Sequence, residues 1–354
     1  MTCYVHIGLP KTGTTSIQEF LFANHAQLKQ QGYLYPVSLG GGHNHNVLGL
    51  PHLNFRGTCR LEDYRLPLEH EITAAGAEHT IISAEGLHNL RSRHVPMIRE
   101  FREFLERLGL SDFRIVVFLR DAEEMLVSSY SQSLKAGDTT DHLHIHPQRN
   151  PFCLNLCDHR TTLENWGTVF GMKNLCVRLY SAENIIHDFL QTVSIAPDAH
   201  FRFPDLKLNL NPSLNLMGVE LMQRINRMAA DAGELHVPVS RCAAHFVSAH
   251  LSGLKSSELK FRPPRQILEA YRSYFAASDE WVRATFFPER ECLFEKTDLT
   301  AYSENSTLTV MRAEYWDRLA ELLFDLIKQH IVLSSRLRQL SQTRQKTADN
   351  PGST

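Results

Sequence analysis

The residues with the most evident chemistry lie at the front of the chain. Within HIGLPKTGTTS, Gly8, Gly13, Thr14 and Thr15 keep the spacing of the nucleotide-binding pattern G-x-x-x-x-G-K-[ST], whose glycine-rich turn aims backbone N–H groups at phosphate oxygens. Thr14 stands where that pattern places its lysine, and the nearby lysine, Lys11, sits three residues upstream on the loop itself. The apolar run CYVHI before the loop predicts a strand. After it, Ile17, Phe20, Leu21 and Leu28 predict a helix from Thr14 to Gln31, stopped by Gly32. A helix N-terminus pointed at the loop favours an anion, and the hydroxyls of Thr14, Thr15 and Ser16 add donors. The loop therefore reads as anion-binding but not as an ordinary ATP site.

Two further groups follow apolar runs. Glu85 comes directly after TIIS and is a candidate general base for a hydroxyl or amine; its plainer reading is a carboxylate paired with Lys11 or an arginine. His88 is the rival base. Arg120 follows RIVVFL, and Ser128 lies about two helical turns further on. A guanidinium fork and a hydroxyl suit a second phosphate, the alternative being an arginine paired with Asp121 or Glu124.

These residues need a frame that gathers strand ends. The runs at 80–83, 114–119 and 175–179 alternate with helical patterns at 94–108 and 183–193, which predicts an α/β fold with a parallel sheet covered on both faces. In such sheets ligands collect at the carboxyl ends of the strands. From 209 onward helices dominate, including a pattern from Tyr315 to Leu333. Residues 39–46 and 138–160 read as irregular loops, and the polar segment 341–354 as a disordered tail.

Composition sets the outer bounds. A chain of 354 residues, 43% hydrophobic, is long enough for a large core, and nothing in it demands two domains. The formal net charge of -2 gives no global field for nucleic acid. Seven cysteines, with no secretory pattern before the first strand, lead us to expect a reduced, cytoplasmic setting. No apolar run approaches the ~20 residues that span a bilayer, so at most peripheral membrane contact is expected. His142, His144 and His146, followed by Cys153, Cys157 and His159, invite a zinc reading, but Cys153-x-x-x-Cys157 lacks a matching second pair, so no metal is expected. His43 and His45 read as part of a mobile acceptor-side loop, Trp166 as core, and Arg262, Arg265 and Arg272 as solvated surface.

Two anion sites at separate strand ends describe a nucleotide phosphorylated at both ends of its ribose. Here GLPKTGTTSIQ, ISAEGL and VVFLRDAEEMLVSSYSQ resemble the sulfotransferases that use 3′-phosphoadenosine 5′-phosphosulfate (PAPS), especially the bacterial and glycan-modifying branch. VRLYSAENIIHDFL, NPSLN (211–215) and WVRATFFPERECLF (281–294) agree, so the resemblance covers most of residues 3–295. It implies a P-loop-like parallel sheet flanked by helices, with helical C-terminal additions. One domain would run over 1–340, with 139–160 a substrate-side loop and 209–340 mainly helical.

The resemblance also implies that Lys11, Thr12, Gly13, Thr14, Thr15 and Ser16 grip the 5′-phosphosulfate, with Lys11 near the bridging oxygen that leaves. Arg120 and Ser128 would hold the 3′-phosphate, and Glu85 matches the family's carboxylate base. The histidine base of phenol-type members has no counterpart here, which leans the acceptor toward a carbohydrate or glycolipid hydroxyl, less an amine. The glycine-rich 3′-phosphate segment of such members is not evident. A sulfuryl group carries less charge than a phosphoryl group, so lysine, amides and hydroxyls suffice without a metal. The competing classes are a P-loop small-molecule kinase or NTPase and a non-catalytic nucleotide-binding module. Sequence does not specify the acceptor or the oligomeric state.

Overall fold

The computed structural model describes residues 1–39, 43–49, 61–91, 94–139, 143–203, 213–231, 233, 236–251, 254 and 257–348. Five strands, β1 (Thr2–His6), β2 (Tyr33–Leu34), β3 (His79–Ser83), β4 (Asp112–Leu119) and β5 (Leu175–Leu179), form one parallel sheet in the order β2-β3-β1-β4-β5. β1 is central: His6 is in register with Ser83 of β3 on one side and Val116 of β4 on the other. The pairing with β4 continues past the strand, because Leu9 N–H donates to the Phe118 carbonyl at 3.3 Å and Phe118 N–H to that of Gly8 at 2.9 Å.

Alternation along the strands explains the layers. Val5, Ile7, Ile115, Val117 and Leu119 bury into one apolar layer, and Ile81, Val116 and Phe118 into the other. A strand covered on both faces needs a continuous apolar run, which is what RIVVFL supplied. Helices α1 (Thr14–Ala23) and α2 (His25–Gln30) follow β1, and α3 (Arg65–Ala75) precedes β3. Then come α4 (Gly86–Arg91), α5 (Val95–Arg107), α6 (Ala122–Ala136), α7 (Pro151–Cys157), α8 (His159–Phe170) and α9 (Ile185–Thr192). α5 and α8 cover the first face with Ile98, Phe101, Trp166 and Phe170, while α1 and α9 cover the second with Ile17, Phe20, Ile185 and Phe189.

The later helices are α10 (Leu216–Ala230), α11 (His236–Leu251), α12 (Arg265–Phe286) and α13 (Ala313–Ala348). The chain divides into two compact units. The first comprises Met1–Ser129, Leu143–Leu210 and Arg265–Tyr302; the second comprises Tyr130–His142, Asn211–Pro264 and Ser303–Thr354. The first holds the sheet. Within the second, Asn226 donates to the carbonyls of Leu134 at 2.8 Å and Asp138 at 3.0 Å. The boundary at Ser129 and Tyr130 falls inside α6, so no linker composition marks it in the sequence.

Three segments differ from the sequence reading. Within the expected loop 139–160, α7 and the start of α8 are helical, capped by Asn150 (accepting from Cys153 N–H) and Asp158 (accepting from Thr161 N–H); His142 lies outside the described residues. The last helix runs on to Ala348, past the residue 341 where a disordered tail was expected, and 349–354 lie outside the described residues. The helix expected over 14–31 breaks at Asn24. That side chain is buried and donates to the carbonyls of Phe20 at 2.8 Å and Arg202 at 2.9 Å, while Arg202 N–H donates to its oxygen at 2.7 Å. A tie to a residue 178 positions away has no local signature.

Asn24→Ala removes those partners and leaves buried backbone groups unpaired, so we expect urea unfolding to lose about 1–3 kcal/mol of stability. Lys29→Ala, on the exposed side of α2, should stay within about 0.5 kcal/mol of wild type in the same measurement.

Candidate active site

The loop after β1 leaves the strand through Gly8 at φ 104° and reaches α1 through two further residues with positive φ, Lys11 at 67° and Gly13 at 74°. Glycine is required at the second. A Cβ there would lie 2.9 Å from Ile185 Cγ1 and 3.3 Å from Tyr180 Cε2, in a backbone conformation that side chains rarely adopt. Gly13 caps α1 with no side-chain hydrogen bond to the first-turn amides. The N–H groups of Thr14, Thr15 and Ser16 thus lack intrahelical partners and, with the helix dipole, form a place for an anion. Thr12 braces the loop, its buried hydroxyl donating to the Leu9 carbonyl at 2.6 Å. Thr15 is exposed and Ser16 half-buried.

Three strand ends meet here. Thr14 Oγ1 donates to Glu85 Oε2 at 2.5 Å, joining the loop after β1 to the carboxylate after β3. Arg120 Nη1 donates to the Lys11 carbonyl at 2.8 Å, joining the same loop to the guanidinium after β4. Lys11 is mostly buried between these charges. Burial holds its ammonium below the ordinary lysine value, the Glu85 carboxylate opposes that shift, and Arg120 adds to it. An incoming anion would therefore favour the charged form of Lys11. Arg120 also donates from Nε to Glu124 at 3.0 Å and lies over the Tyr180 ring, 5.0 Å from its centroid. Ser128 is buried on α6, in its second turn.

His88 has different surroundings. It is fully buried on α4, and its Nε2 donates to the Asn155 carbonyl at 3.1 Å. His45, expected on a mobile acceptor-side loop, is instead a brace under β3. Its Nδ1 accepts from Ser83 N–H at 3.1 Å and its Nε2 donates to the Pro36 carbonyl at 2.8 Å. Burial lowers its pKa to about 4, so it is neutral there. Among the described residues no group of three or more histidines, cysteines and carboxylates is arranged to hold a metal. Cys153 and Cys157 are buried, their thiols pushed up by burial, Cys153 to about 11, and Cys153 Sγ lies 3.1 Å from Ser129 Oγ.

Behind Arg120 lies a polar network for which sequence gave no signal. Lys296 bonds Asp121 closely and reaches Asp279 of α12 at 3.2 Å. Burial alone would lower the Lys296 pKa, but the two carboxylates outweigh it and raise it above the ordinary value. His159 Nε2 donates to the Arg120 carbonyl at 3.0 Å. Arg272, expected as solvated surface, is half-buried and bonds the buried carboxylate of Glu123 and the Thr297 carbonyl, each at 2.7 Å. Asp121 in the β4–α6 turn and Glu123 just beyond it are thus held from α12 and the segment after it. Two more neighbours were missed: Tyr180, at the end of β5, and His6, buried at the end of β1 with Nδ1 2.8 Å from Ser83 Oγ and its pKa lowered to about 3 by burial. Tyr180 was visible as the residue after an apolar run; His6 carried no signal beyond its place in a strand.

Residues 4–175 match the family model described as Sulfotransferase domain. An uncharacterized protein of Archaeoglobus fulgidus is 30% identical over 152 residues, which are 41% of this chain and 38% of that protein. The match thus spans well under half of that relative's length. A crystal structure of a sulfotransferase from Alicyclobacillus acidocaldarius is similar with a TM-score of 0.38 at 13% identity, over 64% of this chain and 94% of that one. The family match ends at residue 175, so Asp279 and Lys296 lie outside it.

Replacing Lys296 by Met leaves Asp121 and Asp279 buried without their cation, and we expect a loss of about 3 kcal/mol in chemical unfolding at neutral pH. Adding Asp121→Asn should recover part of it, since Asn keeps the acceptor for Glu123 N–H. The lysine's raised pKa means its stabilisation is present below the ordinary lysine value and is lost as pH climbs through the folded value. A Lys296→Met protein as stable as wild type would show the pair to be inert.

Proposed function

We propose that the chain, whose residues 4–175 match the sulfotransferase domain model, transfers the sulfuryl group of PAPS to a hydroxyl, in preference to an amine, of a carbohydrate or glycolipid acceptor. The observation that carries this reading is the meeting of Lys11, Glu85 and Arg120 at three adjacent strand ends, tied by the Thr14–Glu85 and Arg120–Lys11 hydrogen bonds. The first loop suits the 5′-phosphosulfate, since the α1 amides that no side chain caps and the Lys11 ammonium could serve one anion. Arg120 suits the 3′-phosphate, since two of its five donors are spent on the Lys11 carbonyl and Glu124. Ser128 is assigned the same phosphate by resemblance.

In the proposed reaction the acceptor oxygen attacks sulfur, the bond from sulfur to the 5′-phosphate oxygen breaks, and adenosine 3′,5′-bisphosphate leaves. The acceptor's proton passes to Glu85. Thr14 holds one oxygen of that carboxylate and so fixes its direction. Lys11 stabilises the charge that builds on the departing oxygen, and the partial burial that lowers its pKa also strengthens its field on that oxygen. Glu85 is favoured over His88 as base because His88 is sealed in the core with Nε2 spent on a carbonyl. Sulfuryl transfer is favoured over a kinase reading by Asp121: an ATPase would use the aspartate at this place for magnesium, and here Lys296 occupies it.

Calorimetry tests the nucleotide assignment. Adenosine 3′,5′-bisphosphate should bind more tightly than AMP or ATP, and Arg120→Ala should cost the bisphosphate about 1.5–3 kcal/mol while changing AMP affinity much less. Equal affinity of the wild type for AMP and the bisphosphate would refute it; a general loop defect would weaken both ligands alike.

The base assignment makes a separate prediction. Glu85→Gln keeps an acceptor for Thr14 and should leave bisphosphate affinity near wild type while cutting sulfuryl transfer by about 10²-fold or more. His88→Asn should affect turnover far less per folded molecule. A Glu85→Gln protein turning over at the wild-type rate under saturating acceptor would remove Glu85 from the mechanism.

A further inference from the structure

Helix α13 belongs to the second unit and packs on α11. Tyr315 and Leu322 are buried, and Asp325 Oδ2 lies 3.1 Å from His250 Nε2 of α11. At about 100° per residue, Trp316, Ala320, Leu323, Phe324, Ile327 and Ile331 fall within one arc of about 100° on a different side. The five large ones are 56% to 67% exposed. Sixteen residues of helix make this an apolar strip about 24 Å long. Scattered exposed apolar residues are ordinary, but a continuous strip of this kind marks a surface that is covered in use.

The charges along the same helix indicate what covers it. Residues 313–325 carry Glu314, Asp317, Glu321 and Asp325 against Arg318 alone, whereas 326–348 carry Lys328, Arg336, Arg338, Arg344 and Lys346 and no carboxylate. Two of the acids have partners within the unit, Glu321 with Arg318 at 2.7 Å and Asp325 with His250. Such a helix is complementary to a reversed copy of itself. In an antiparallel pair about an axis through the strip the same edge of each helix meets its counterpart, so Lys328 of each copy falls between Asp317 and Glu321 of the other, once at each end of the strip. A parallel pair would set like charge against like.

We propose that α13 is a homodimerisation surface, pairing antiparallel with α13 of a second copy about a twofold axis through its apolar strip. The interface is isologous and therefore closes at two chains. An anionic lipid surface fits less well, because the acidic half would be repelled by the headgroups that attract the basic half.

Sedimentation of the full chain across the micromolar range at low salt tests this. Wild type should sediment as a reversible dimer, and Leu323→Glu with Ile327→Glu as a monomer with unchanged helical circular dichroism. Reversing Glu314, Asp317 and Glu321 to Lys should weaken the dimer by about tenfold or more, which is about 1.4 kcal/mol. Adding Lys328→Glu and Arg336→Glu to that triple variant should restore it. A wild type that stays monomeric overturns the proposal, as does a triple reversal that leaves the dimer unchanged. Tighter association of the triple variant would mean a parallel pair and would also overturn it. Flotation of a monomeric wild type with vesicles of mixed zwitterionic and anionic lipid would assign the strip to a membrane surface instead.

Discussion

The position of β1 between β3 and β4 is the constraint on which the site depends. Parallel pairing on both sides fixes His6 against Ser83 and against Val116, so the three chains leave the sheet side by side at the same edge. Lys11, Glu85 and Arg120 are then neighbours for a reason set by hydrogen-bond register, not by their own attraction. The two bonds that lace them, Thr14 to Glu85 and Arg120 to the Lys11 carbonyl, act on groups the sheet has already delivered. Pairing that continues beyond β1 through Gly8 and Leu9 keeps the start of the loop stiff before it turns.

Electrostatics divides the strand end after β4 into two jobs. Arg120 faces the loop, while Asp121, the next residue, faces away and is held by Lys296. The same dipeptide therefore turns one charge to the loop and the other to the scaffold. Glu123 and Arg272 repeat the arrangement one step further along α6, so a helix and a segment from the far end of the chain anchor the turn that carries the arginine. Burial gives these pairs their leverage, since a carboxylate left alone there would cost far more than one in solvent.

Local pattern was a good guide wherever local forces decide. β5 has the bounds its apolar run suggested, and the helices at 94–108 and 183–193 fall within two residues of their cues. It failed where a partner far along the chain wins. Asn24 breaks a helix that its neighbours would continue, because Arg202 completes its hydrogen bonds. His45 was read as loop chemistry and proved to be a neutral core brace, since nothing in its flanking glycines reports that Ser83 and Pro36 close around it.

By itself the sequence determined the parallel α/β architecture, the glycine-bearing turn between the first strand and the first helix, and the identity of the groups that follow each strand. Periodicity, glycine spacing and strand-to-helix order are local properties, and they write themselves into neighbouring residues. Only the tertiary structure decided which of those groups touch, that Thr14 is joined to Glu85 while His88 is turned into the core, and that Lys296 and Arg272 reach back to the turn beside Arg120. Such pairings depend on how layers stack between residues 67 to 175 positions apart, and a buried ion pair leaves no periodic trace in either of the segments that form it.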